Sequence, residues 1–332
     1  TGNSPGNDMR FYVERCEAMR NFANKLWNAS RFVMMNLTIG DCALPEKLEL
    51  PDRWILSKLN SLVGEVRENM ERYELGIAAQ KIYDFIWDSY CDWYIELTKP
   101  RLNGGDEQAK EGAERVLLYV LTDILKLLHP FMPYITEEIF QAIPHEGEAL
   151  IIAPYPKYDA ALSFPEDEAG FERVMEVIRA VRSRRADMNV PPSRKAKVII
   201  CAAEQETYRA GAKYLSRLAS ASEVEVRGIS GAGSDAEESA KGMVTVTTSS
   251  ARVLMPMAEL VDLEAERARL TKELEKARGQ LEAQNKKLAN EAFVSRAPEK
   301  VVNAEREKKA KLEALIENLE ESLKNLGSAR PF

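Results

Sequence analysis

Residues 263–288 read LEAERARLTKELEKARGQLEAQNKKL and carry the clearest pattern in the chain. Leu263, Leu270 and Ala277 recur every seven residues. A second row is offset from the first by four positions and consists of Leu274, Leu281 and Leu288. Two apolar rows with this spacing form the a/d seam of a coiled-coil helix. The segment therefore predicts a long helix that needs a partner helix along its seam.

A second seam follows beyond Pro298. Its two rows are Val302, Ile316 and Leu323, and Leu312, Leu319 and Leu326. Residues 290–297 are too few to form anything but a turn, and Pro298 suits the first position of a new helix because its missing N–H would be unpaired there anyway. We therefore expect residues 261–332 to form an antiparallel two-helix coiled-coil arm. Pairing with a second chain would bury the same seams equally well.

Upstream of the arm, residues 8 to about 143 read as consecutive amphipathic helices broken by proline and glycine. A second helix is expected to begin at Asp52, as its N-cap, and to run towards residue 73. A third covers about residues 74–99 and is expected to stop at Pro100, which has no N–H to donate. Further helices cover about residues 108–128 and begin near residue 136, and a proline-bracketed strap follows over residues 150–165. Together these elements predict a helical bundle with short connections.

Between the bundle and the arm, residues 165–260 change in character. A basic helix over about residues 166–187 ends before Pro191. Strand-like stretches at residues 197–201 and 224–226 flank a helix near residues 207–219, and residues 243–256 alternate like a hairpin around Ser249 and Ser250. The predicted fold class is thus mostly α: a helical bundle, a small α/β subdomain and a C-terminal antiparallel two-helix coiled coil.

The composition excludes several classes of protein. A formal net charge of −7 over 332 residues argues against a protein that coats nucleic acid indiscriminately, so any nucleic-acid surface must be local. Four widely spaced cysteines and two histidines exclude the usual zinc spacings and a disulfide framework, and indicate a reducing compartment. Without a membrane-spanning run or a signal peptide, we expect a cytoplasmic location. The opening residues 1–6, TGNSPG, lack a methionine, and we expect part of a longer protein.

The first helix carries the most informative group of side chains. Its core face is expected to consist of Phe22, Leu26, Ala29 and Val33. Lys25, Asn28 and Phe32 form a second stripe about 80° away, beside Asn21. An aromatic ring among amides and a cation suits a nucleobase that is stacked and hydrogen-bonded at its edge. The alternative is that Phe32 packs against a neighbouring helix.

Two further stretches are rich in charged residues, one together with aromatic side chains and the other with an excess of basic ones. Residues 92–101 mix aromatic and charged side chains, and their composition favours buried aromatics with a solvated helix end. Residues 171–197 contain eight basic and three acidic residues, a local charge of +5 that leaves −12 elsewhere. This asymmetry favours a phosphate-facing surface, although a solvated helix face explains it nearly as well.

Three sequence patterns that could indicate a catalytic site do not satisfy the requirements of the corresponding motifs. Residues 231–236 imitate a dinucleotide-binding loop, but Asp235 and the glutamates after it would place carboxylates where a pyrophosphate should bind. His145-Glu146 has no second histidine four residues on, which excludes a zincin site. Neither histidine accompanies a recognisable nucleophile motif. We therefore predict no catalytic residue, no metal and no cofactor in this sequence.

Several motifs resemble the valyl-tRNA synthetase family of class I aminoacyl-tRNA synthetases. They are SPGNDMRF at residues 4–11, NFANKLWNASRF at 21–32, CDWYIE at 91–96, LHPFMP at 128–133, TEE at 136–138, NEAFV at 290–294 and AP at 297–298. The resemblance covers nearly the whole chain and implies a helical anticodon-binding domain over residues 1–164 and a tRNA-binding arm over residues 261–332. The isoleucine enzymes share much of the helical part but commonly end in a cysteine-rich zinc module, so the heptad arm favours the valine enzymes.

The resemblance implies that this region grips valine tRNA at both ends of its long limb. In the family, the middle adenine and the third base of the anticodon carry identity. Anticodon contacts are expected from Lys25, Asn28, Arg31, Phe32, Asp92, Tyr94, Ile95 and Glu96. Contacts with the tRNA backbone and outer corner are expected from Arg182, Arg185, Arg278, Lys286, Lys287, Arg296 and Arg306.

The same resemblance implies that the ATP-dependent chemistry lies elsewhere. Class I synthetases use a His-x-Gly-His element and a Lys-Met-Ser-Lys-Ser loop, and this sequence contains neither. The catalytic and editing domains are expected upstream, so ATP belongs to the full-length enzyme and the fragment alone should not aminoacylate. Valine tRNA is the expected partner, without DNA or a membrane, and a monomer is expected. Two other classes remain open: a helical coiled-coil adaptor that binds proteins, and a nucleotide-dependent enzyme built around residues 231–236.

Overall fold

The computed structural model describes residues 12–228, 242–260, 263–289 and 299–328. The chain divides into two compact units, one ending at Arg173 and the other beginning at Val174. Within the described ranges, no helix combines the length and the apolar character needed to cross a membrane.

The first unit is a helical bundle with α5 at its centre. Its helices are α1 (Val13–Asn36), α2 (Leu50–Glu71), α3 (Leu75–Asp84), α4 (Ile95–Leu102), α5 (Glu107–Leu128) and α6 (Pro133–Ala142), and a π-helical segment, Phe85–Tyr94, joins α3 to α4. Helix α5 begins where the side chain of Asp106 accepts hydrogen bonds from two backbone N–H groups of the first turn. Its side chains are buried on several faces and pack against α1, α2, α4 and α6.

The start of α2 differs from the predicted N-cap at Asp52. Glu49 is the N-cap residue, Pro51 lies in the first turn, and Asp52 is the third helical residue. The Asp52 carboxylate accepts the N–H of Glu49 at 2.9 Å, and the Glu49 side chain accepts the N–H of Asp52, which completes a capping box. The helix therefore begins at Leu50, because proline is tolerated where the N–H has no helical partner.

The prediction that the third helix ends at Pro100 is also wrong. Helical structure continues from α3 through the π-helical segment to Leu102, with Pro100 inside α4. Proline costs a backbone hydrogen bond there. The continued turn buries Leu102 and brings Arg101 to within 2.5 Å of the buried Asp52 carboxylate. Tertiary packing thus outweighs the local helix-breaking effect.

The strap that follows α6 is held to α2 by side-chain hydrogen bonds. It contains two 3₁₀ turns, Leu150–Ile152 and Ala160–Leu162. The Asn60 amide donates to the carbonyl of Asp159 and accepts from its N–H, both at 2.8 Å. The Ser57 hydroxyl accepts the N–H of Phe164 at 3.1 Å. Helix α2 thereby satisfies backbone groups that no strand partner pairs.

The second unit contains a small mixed sheet preceded by α7 (Pro165–Asp187), the helix in which the division between the units falls. The strands are β1 (Ala196–Ala202), β2 (Ala221–Arg227), β3 (Met243–Thr247) and β4 (Ala251–Pro256), in the order β2-β1-β4-β3. Strands β1 and β2 are parallel, and the other two pairs are antiparallel. The predicted β3–β4 hairpin is confirmed, and the short helix α10 (Met257–Leu260) follows it.

The helix predicted near residues 207–219 is divided into two. Helices α8 (Gln205–Ala210) and α9 (Ala212–Leu218) meet at Gly211. A Cβ atom added at Gly211 would lie 2.7 Å from a methyl group of Val174 in α7. Glycine at this position leaves room for the Val174 side chain, which a Cβ atom would displace. The pair of helices carries the chain from β1 to its parallel neighbour β2.

The arm consists of α11 (Leu263–Ala289) and α12 (Glu299–Ser328). Leu274 and Ala277 of α11 are buried with Leu319 of α12, and Ile316 packs against them. Near the other end of the described part, Gln284 donates a hydrogen bond of 2.5 Å to Glu305. Late residues of α11 thus meet early residues of α12, so the helices run antiparallel.

The predicted fold class is therefore confirmed, with a helical bundle, a small α/β subdomain and an antiparallel coiled coil. The predicted turn at residues 290–297 lies outside the described residues. The domain boundaries at residues 164 and 260 stay predictions.

Candidate nucleic-acid interface

Helix α1 presents two kinds of surface. The predicted core residues are all buried, which confirms the core face: Phe22, Leu26, Ala29 and Val33. On the neighbouring stripe, Lys25 and Phe32 are half-buried and Asn28 is exposed. Because the helix turns 100° per residue, these three side chains lie along one edge of α1 and border the bundle without entering its core.

An open groove of about 480 Å³ lies between α1 and the wall formed by the π-helical segment and α4. This volume lies within the roughly 300–1,000 Å³ typical of small-molecule sites. Three of the predicted anticodon-binding residues on α1 line the groove, and Ile95 lines the opposite wall. The full lining is Asn21, Asn24, Lys25, Asn28, Ala29, Phe32, Cys91, Ile95 and Lys99.

Lys25 is held in place by two neighbours from the opposite wall. Its ammonium nitrogen lies 2.6 Å from a carboxylate oxygen of Asp92 and 3.7 Å from the centre of the Trp87 ring. An ion pair and a cation–π contact together restrict the ammonium to one region of the groove edge. Lys25 is therefore a positioned hydrogen-bond donor.

Phe32 offers an aromatic face on the same groove. The ammonium of Lys99 lies 5.7 Å from the centre of its ring, and Lys99 also pairs with Glu96. The alternative prediction was that Phe32 packs against a neighbouring helix. The ring does contact Lys99 of the opposite wall, but it lies in the groove lining and outside the core. A partly exposed ring in an open groove is the arrangement that base stacking requires.

The remaining lining is uncharged and combines three asparagines with Ala29, Cys91 and Ile95. Asn21, Asn24 and Asn28 contribute amides that both donate and accept hydrogen bonds. Burial raises the pKa of the Cys91 thiol to about 12, although the nearby charge of Lys25 acts in the opposite direction. The thiol therefore stays protonated at neutral pH. The groove can thus match a ligand edge that alternates donors and acceptors, as nucleobase edges do.

Tyr94 does not line this groove, and its predicted anticodon contact is corrected. Its side chain is fully buried, and its hydroxyl donates to a carboxylate oxygen of Asp52 at 2.7 Å. Burial first, and then the charge of Asp52, raise the pKa of the Tyr94 phenol well above its usual value. The phenol remains a neutral donor inside the bundle, because a side chain without exposed surface has no face to offer an RNA base.

The other predicted anticodon residues lie at the edge of the groove or beyond it. Asp92 and Glu96 are about half exposed, and each contacts a lysine of the groove. Arg31 is exposed on α1 and is not among the lining residues. Their contacts with RNA stay predictions.

Sequence reasoning missed several residues of the groove. Asn24 lies four residues before Asn28, so the helical period could have identified it. Trp87, which contacts Lys25, and Cys91 had no such signal, because they lie in the π-helical segment, whose i→i+5 hydrogen bonds change the angle between successive side chains. Lys99 belongs to the mixed stretch at residues 92–101, whose composition favours a solvated helix end.

In the second unit, the basic stretch is partly occupied by internal contacts. Arg185 is buried and donates to the backbone carbonyls of Pro191 and Arg194, so its predicted tRNA contact is corrected: the guanidinium holds the turn after α7. Arg182 is exposed. Its contact with the tRNA backbone stays a prediction.

Two of the predicted arm cations bridge the helices. Arg278 pairs with Glu320 at 2.6 Å, and Lys287 pairs with Glu305 at 3.1 Å. These ion pairs join α11 to α12, so both cations have a structural partner that a phosphate would have to replace.

The other arm cations differ in position. Lys286 pairs within α11 with Glu282, and both side chains are largely exposed. Arg306 is exposed on α12. Arg296 lies outside the described residues. The roles of all the arm cations in tRNA binding stay predictions.

The two histidines, which the sequence analysis considered as catalytic candidates, each contact a neighbouring hydroxyl or backbone carbonyl. Nδ1 of His129 lies 2.8 Å from the Thr136 hydroxyl, and Nδ1 of His145 lies 2.8 Å from the carbonyl of Ile143. Across the described ranges, no group of three or more His, Cys, Asp or Glu side chains is arranged to hold a metal ion. The glycine-containing loop at residues 231–236 lies outside the described residues.

Two family profiles match this chain. Residues 52–200 match the family described as the anticodon-binding domain of tRNA ligase. Residues 262–327 match the family described as the valyl tRNA synthetase tRNA binding arm. The first match contains the groove wall with Cys91, Ile95 and Lys99, whereas α1 precedes it. The second covers nearly all of α11 and α12.

Curated relatives match almost the whole chain. The valine–tRNA ligase of Clostridium perfringens is 50% identical, over 96% of this chain and 37% of the relative. Those of Clostridium acetobutylicum and Geobacillus stearothermophilus are 46% and 42% identical, over 97% and 93% of this chain and 36% and 35% of the relatives. The chain thus spans little more than a third of the length of these relatives.

Among solved structures, the LeuRS of Agrobacterium radiobacter K84, in a ternary complex, matches 47% of this chain and 18% of that chain. The sequence identity is 18% and the TM-score 0.37, a similarity from which no structural inference follows.

Proposed function

This chain belongs to the valyl-tRNA synthetase family, and from that premise we propose that it binds valine tRNA, with the α1 groove receiving the anticodon. The observation that carries the proposal is the groove itself. Lys25, Asn28 and Phe32 meet Ile95 and Lys99 across one open cleft of the helical bundle. Single-stranded loops are recognised by stacking unpaired bases on aromatic rings and hydrogen-bonding their edges, and this cleft supplies both kinds of group.

The proposed division of work inside the groove follows from the chemistry of each side chain. The ring of Phe32 stacks one anticodon base, while the amides of Asn21 and Asn28 pair with donor and acceptor atoms on base edges. Lys25 donates to a base acceptor from the position that Asp92 and Trp87 give it. Ile95 closes the opposite wall with an apolar surface.

We propose that the arm holds the outer corner of the same tRNA. Residues 264–326 carry nearly equal numbers of acidic and basic residues, so bulk charge contributes little. Recognition would depend on a few placed cations and on the shape of the corner. Lys286 and Arg306 are the more available candidates, because Arg278 and Lys287 take part in pairs between the helices.

For the whole protein we propose attachment of valine to its tRNA with ATP as co-substrate, in the cytoplasm and as a monomer. The described groove and arm contain no group suited to activating an amino acid. The catalytic and editing domains of the family would supply that chemistry, while this chain selects and orients the tRNA.

The direct test is to offer this chain valine tRNA and, separately, valine with ATP. We expect binding that weakens when the middle anticodon base is changed, and no valine-dependent ATP–pyrophosphate exchange. Titration with labelled transcripts measures the first, and incorporation of labelled pyrophosphate into ATP measures the second. Measurable exchange would overturn the proposed division of labour, and equal affinity for both transcripts would overturn the anticodon site.

Replacing Phe32 by alanine should weaken binding of valine tRNA by about 1–3 kcal/mol, the usual scale for one stacked base. Stability should change little, because the ring is partly exposed and lies outside the core. Tyr134→Ala, at a ring that is 92% exposed and outside the groove, is the matched control. A loss of stability of ~3–5 kcal/mol would instead identify Phe32 as a core residue.

Removing everything after Leu263 should raise the dissociation constant for valine tRNA and reduce its dependence on salt, because the truncated chain makes fewer phosphate contacts. The bundle should stay folded and monomeric, since the buried seam joins α11 to α12 within one chain. Titrations at several salt concentrations measure the first effect, and light scattering measures the second.

The same pair of measurements separates the tRNA arm from a protein adaptor. An intact chain that is dimeric, becomes monomeric on truncation and keeps its tRNA affinity would favour the adaptor, because the a/d seam would then serve association between chains.

A further inference from the structure

Both lysines of the anticodon groove carry a carboxylate of their own. Lys25 pairs with Asp92 at 2.6 Å, and Lys99 pairs with Glu96. Asp92 and Glu96 are four residues apart on the same wall, one at the end of the π-helical segment and one at the start of α4. The lysine side chains are 23% and 31% exposed, against 51% and 44% for their carboxylates, so the carboxylates lie nearer to solvent than the cations do.

These pairs make the groove close to electrically neutral. Two ammonium groups face two carboxylates, and the other lining side chains are three asparagines, Ala29, Phe32, Cys91 and Ile95, none of which carries a charge. A site built to attract the sugar–phosphate backbone would leave its lysines unpaired, because phosphate contacts supply affinity without sequence information.

A carboxylate distinguishes between the two parts of a nucleotide. It repels a phosphate, whereas it accepts hydrogen bonds from the N–H groups of base edges, as Asp and Glu do with cytosine N4. A nucleotide that inserts its base therefore gains an acceptor, and one that presents its phosphate meets a like charge. Asp92 and Glu96 are about half exposed and pair with lysines of the groove lining, so an approaching nucleotide meets these carboxylates at the edge of the groove.

We infer that Asp92 and Glu96 are specificity-determining residues, which suppress anticodon-independent binding by neutralising Lys25 and Lys99 and by excluding phosphate from the groove. The inference rests on the proposed function, since it assigns a role inside the anticodon site. It gives the two carboxylates a role beyond that of the anticodon contacts expected from the sequence. Their removal should strengthen the wrong interactions and leave the fold intact.

The test compares Asp92→Asn and Glu96→Gln with the unaltered chain, using a valine tRNA transcript and the same transcript with a changed middle anticodon base. Each variant releases one lysine. It should bind the changed transcript about threefold more tightly at low salt, the scale of one added phosphate contact. The slope of log affinity against log salt should steepen by about 0.7 for a single-stranded contact. The ratio of affinities for the two transcripts should fall.

Asp88→Asn is the matched control, because Asp88 is exposed on the same segment, four residues before Asp92, and does not line the groove. It removes the same charge and should leave the ratio unchanged. Thermal unfolding of all variants verifies that the bundle is intact.

Each other outcome has a definite meaning. Discrimination that persists unchanged in both Asp92→Asn and Glu96→Gln, or an equal effect of Asp88→Asn, would overturn the inference and leave the proposed function standing. Weaker binding of both transcripts by the same factor would also overturn it, since the carboxylates would then only position the lysines. Absence of any discrimination by the unaltered chain would overturn the proposed function as well.

Discussion

Replacing Asp52 by alanine is expected to lower the free energy of unfolding of the first unit by about 3–5 kcal/mol, the cost of removing one partner from a buried ion pair. Asp52 is fully buried, and its carboxylate accepts from both terminal nitrogens of Arg101, at 2.7 and 2.5 Å. It also accepts from the Tyr94 hydroxyl at 2.7 Å and from the N–H of Glu49 at 2.9 Å. Removal would leave a buried guanidinium without its counter-charge.

The measurement is denaturant unfolding followed by tryptophan fluorescence. All four tryptophans belong to the first unit, so the signal reports on this unit alone: Trp27, Trp54, Trp87 and Trp93. Glu71→Ala is the matched control, since it removes a carboxylate from an exposed pair with Arg67 at 2.9 Å and should cost no more than about 1 kcal/mol.

A second variant separates charge from packing. Adding Arg101→Met to Asp52→Ala should restore part of the lost stability, because the double variant no longer buries an unpaired charge. If Asp52→Ala alone costs less than about 1 kcal/mol, the network does not behave as a buried ion pair.

Replacing Trp54 by alanine should destabilise the same unit by a similar ~3–5 kcal/mol, the usual cost of emptying a core aromatic site. The side chain is 1% exposed, and its ring lies 5.7 Å from that of Phe171, at an angle of 56°. Trp54 belongs to α2 and Phe171 to α7, so the cavity would open where these two helices pack.

Trp54→Phe provides the contrast. The indole N–H is buried and has no hydrogen-bond partner among the described residues. Phenylalanine keeps an aromatic ring and removes this unpaired donor, so the loss should be much smaller, about 1 kcal/mol. Tyr134→Ala, at a 92% exposed ring, should stay within about 0.5 kcal/mol. Equal losses for Trp54→Ala and Trp54→Phe would contradict the cavity explanation.

The hydrogen bonds of Asp52 affect the groove as well as the stability of the first unit. Asp52 fixes Arg101 and Tyr94, which lie on either side of Ile95 and Lys99 along the opposite wall. The buried contacts of α2 thus determine where the lining side chains of α4 lie. Helix α2, which supplies no residue of the lining, thus anchors the segment that carries Ile95 and Lys99.

The features that depend on regular periodicity could be predicted from the amino-acid sequence alone. The seven-residue repeat identified the arm and its antiparallel return, because only one face of each helix is apolar. The 3.6-residue period separated the buried face of α1 from the edge with Lys25, Asn28 and Phe32. Both conclusions need only neighbours on one helix, and that information is local.

The residues that form the opposite wall could be identified only from the packing of the folded chain. Tyr94 and Ile95 are adjacent in the chain, yet one is bonded to Asp52 inside the bundle and the other lines the groove. The π-helical segment before them changes the angle between successive residues, so a 100° rotation does not predict their faces.

The same holds for the charged residues. Arg185 is buried and donates hydrogen bonds to two backbone carbonyls after α7. Helix α4 continues through Pro100, and Arg101 then pairs with Asp52. The sequence shows the charge of each of these side chains, but burial and pairing depend on partners that are distant in sequence or on an irregular turn. Packing therefore decides whether a cation faces tRNA or supports the fold. A charged side chain can be buried only where a partner within hydrogen-bonding distance offsets the free-energy cost of removing the charge from water.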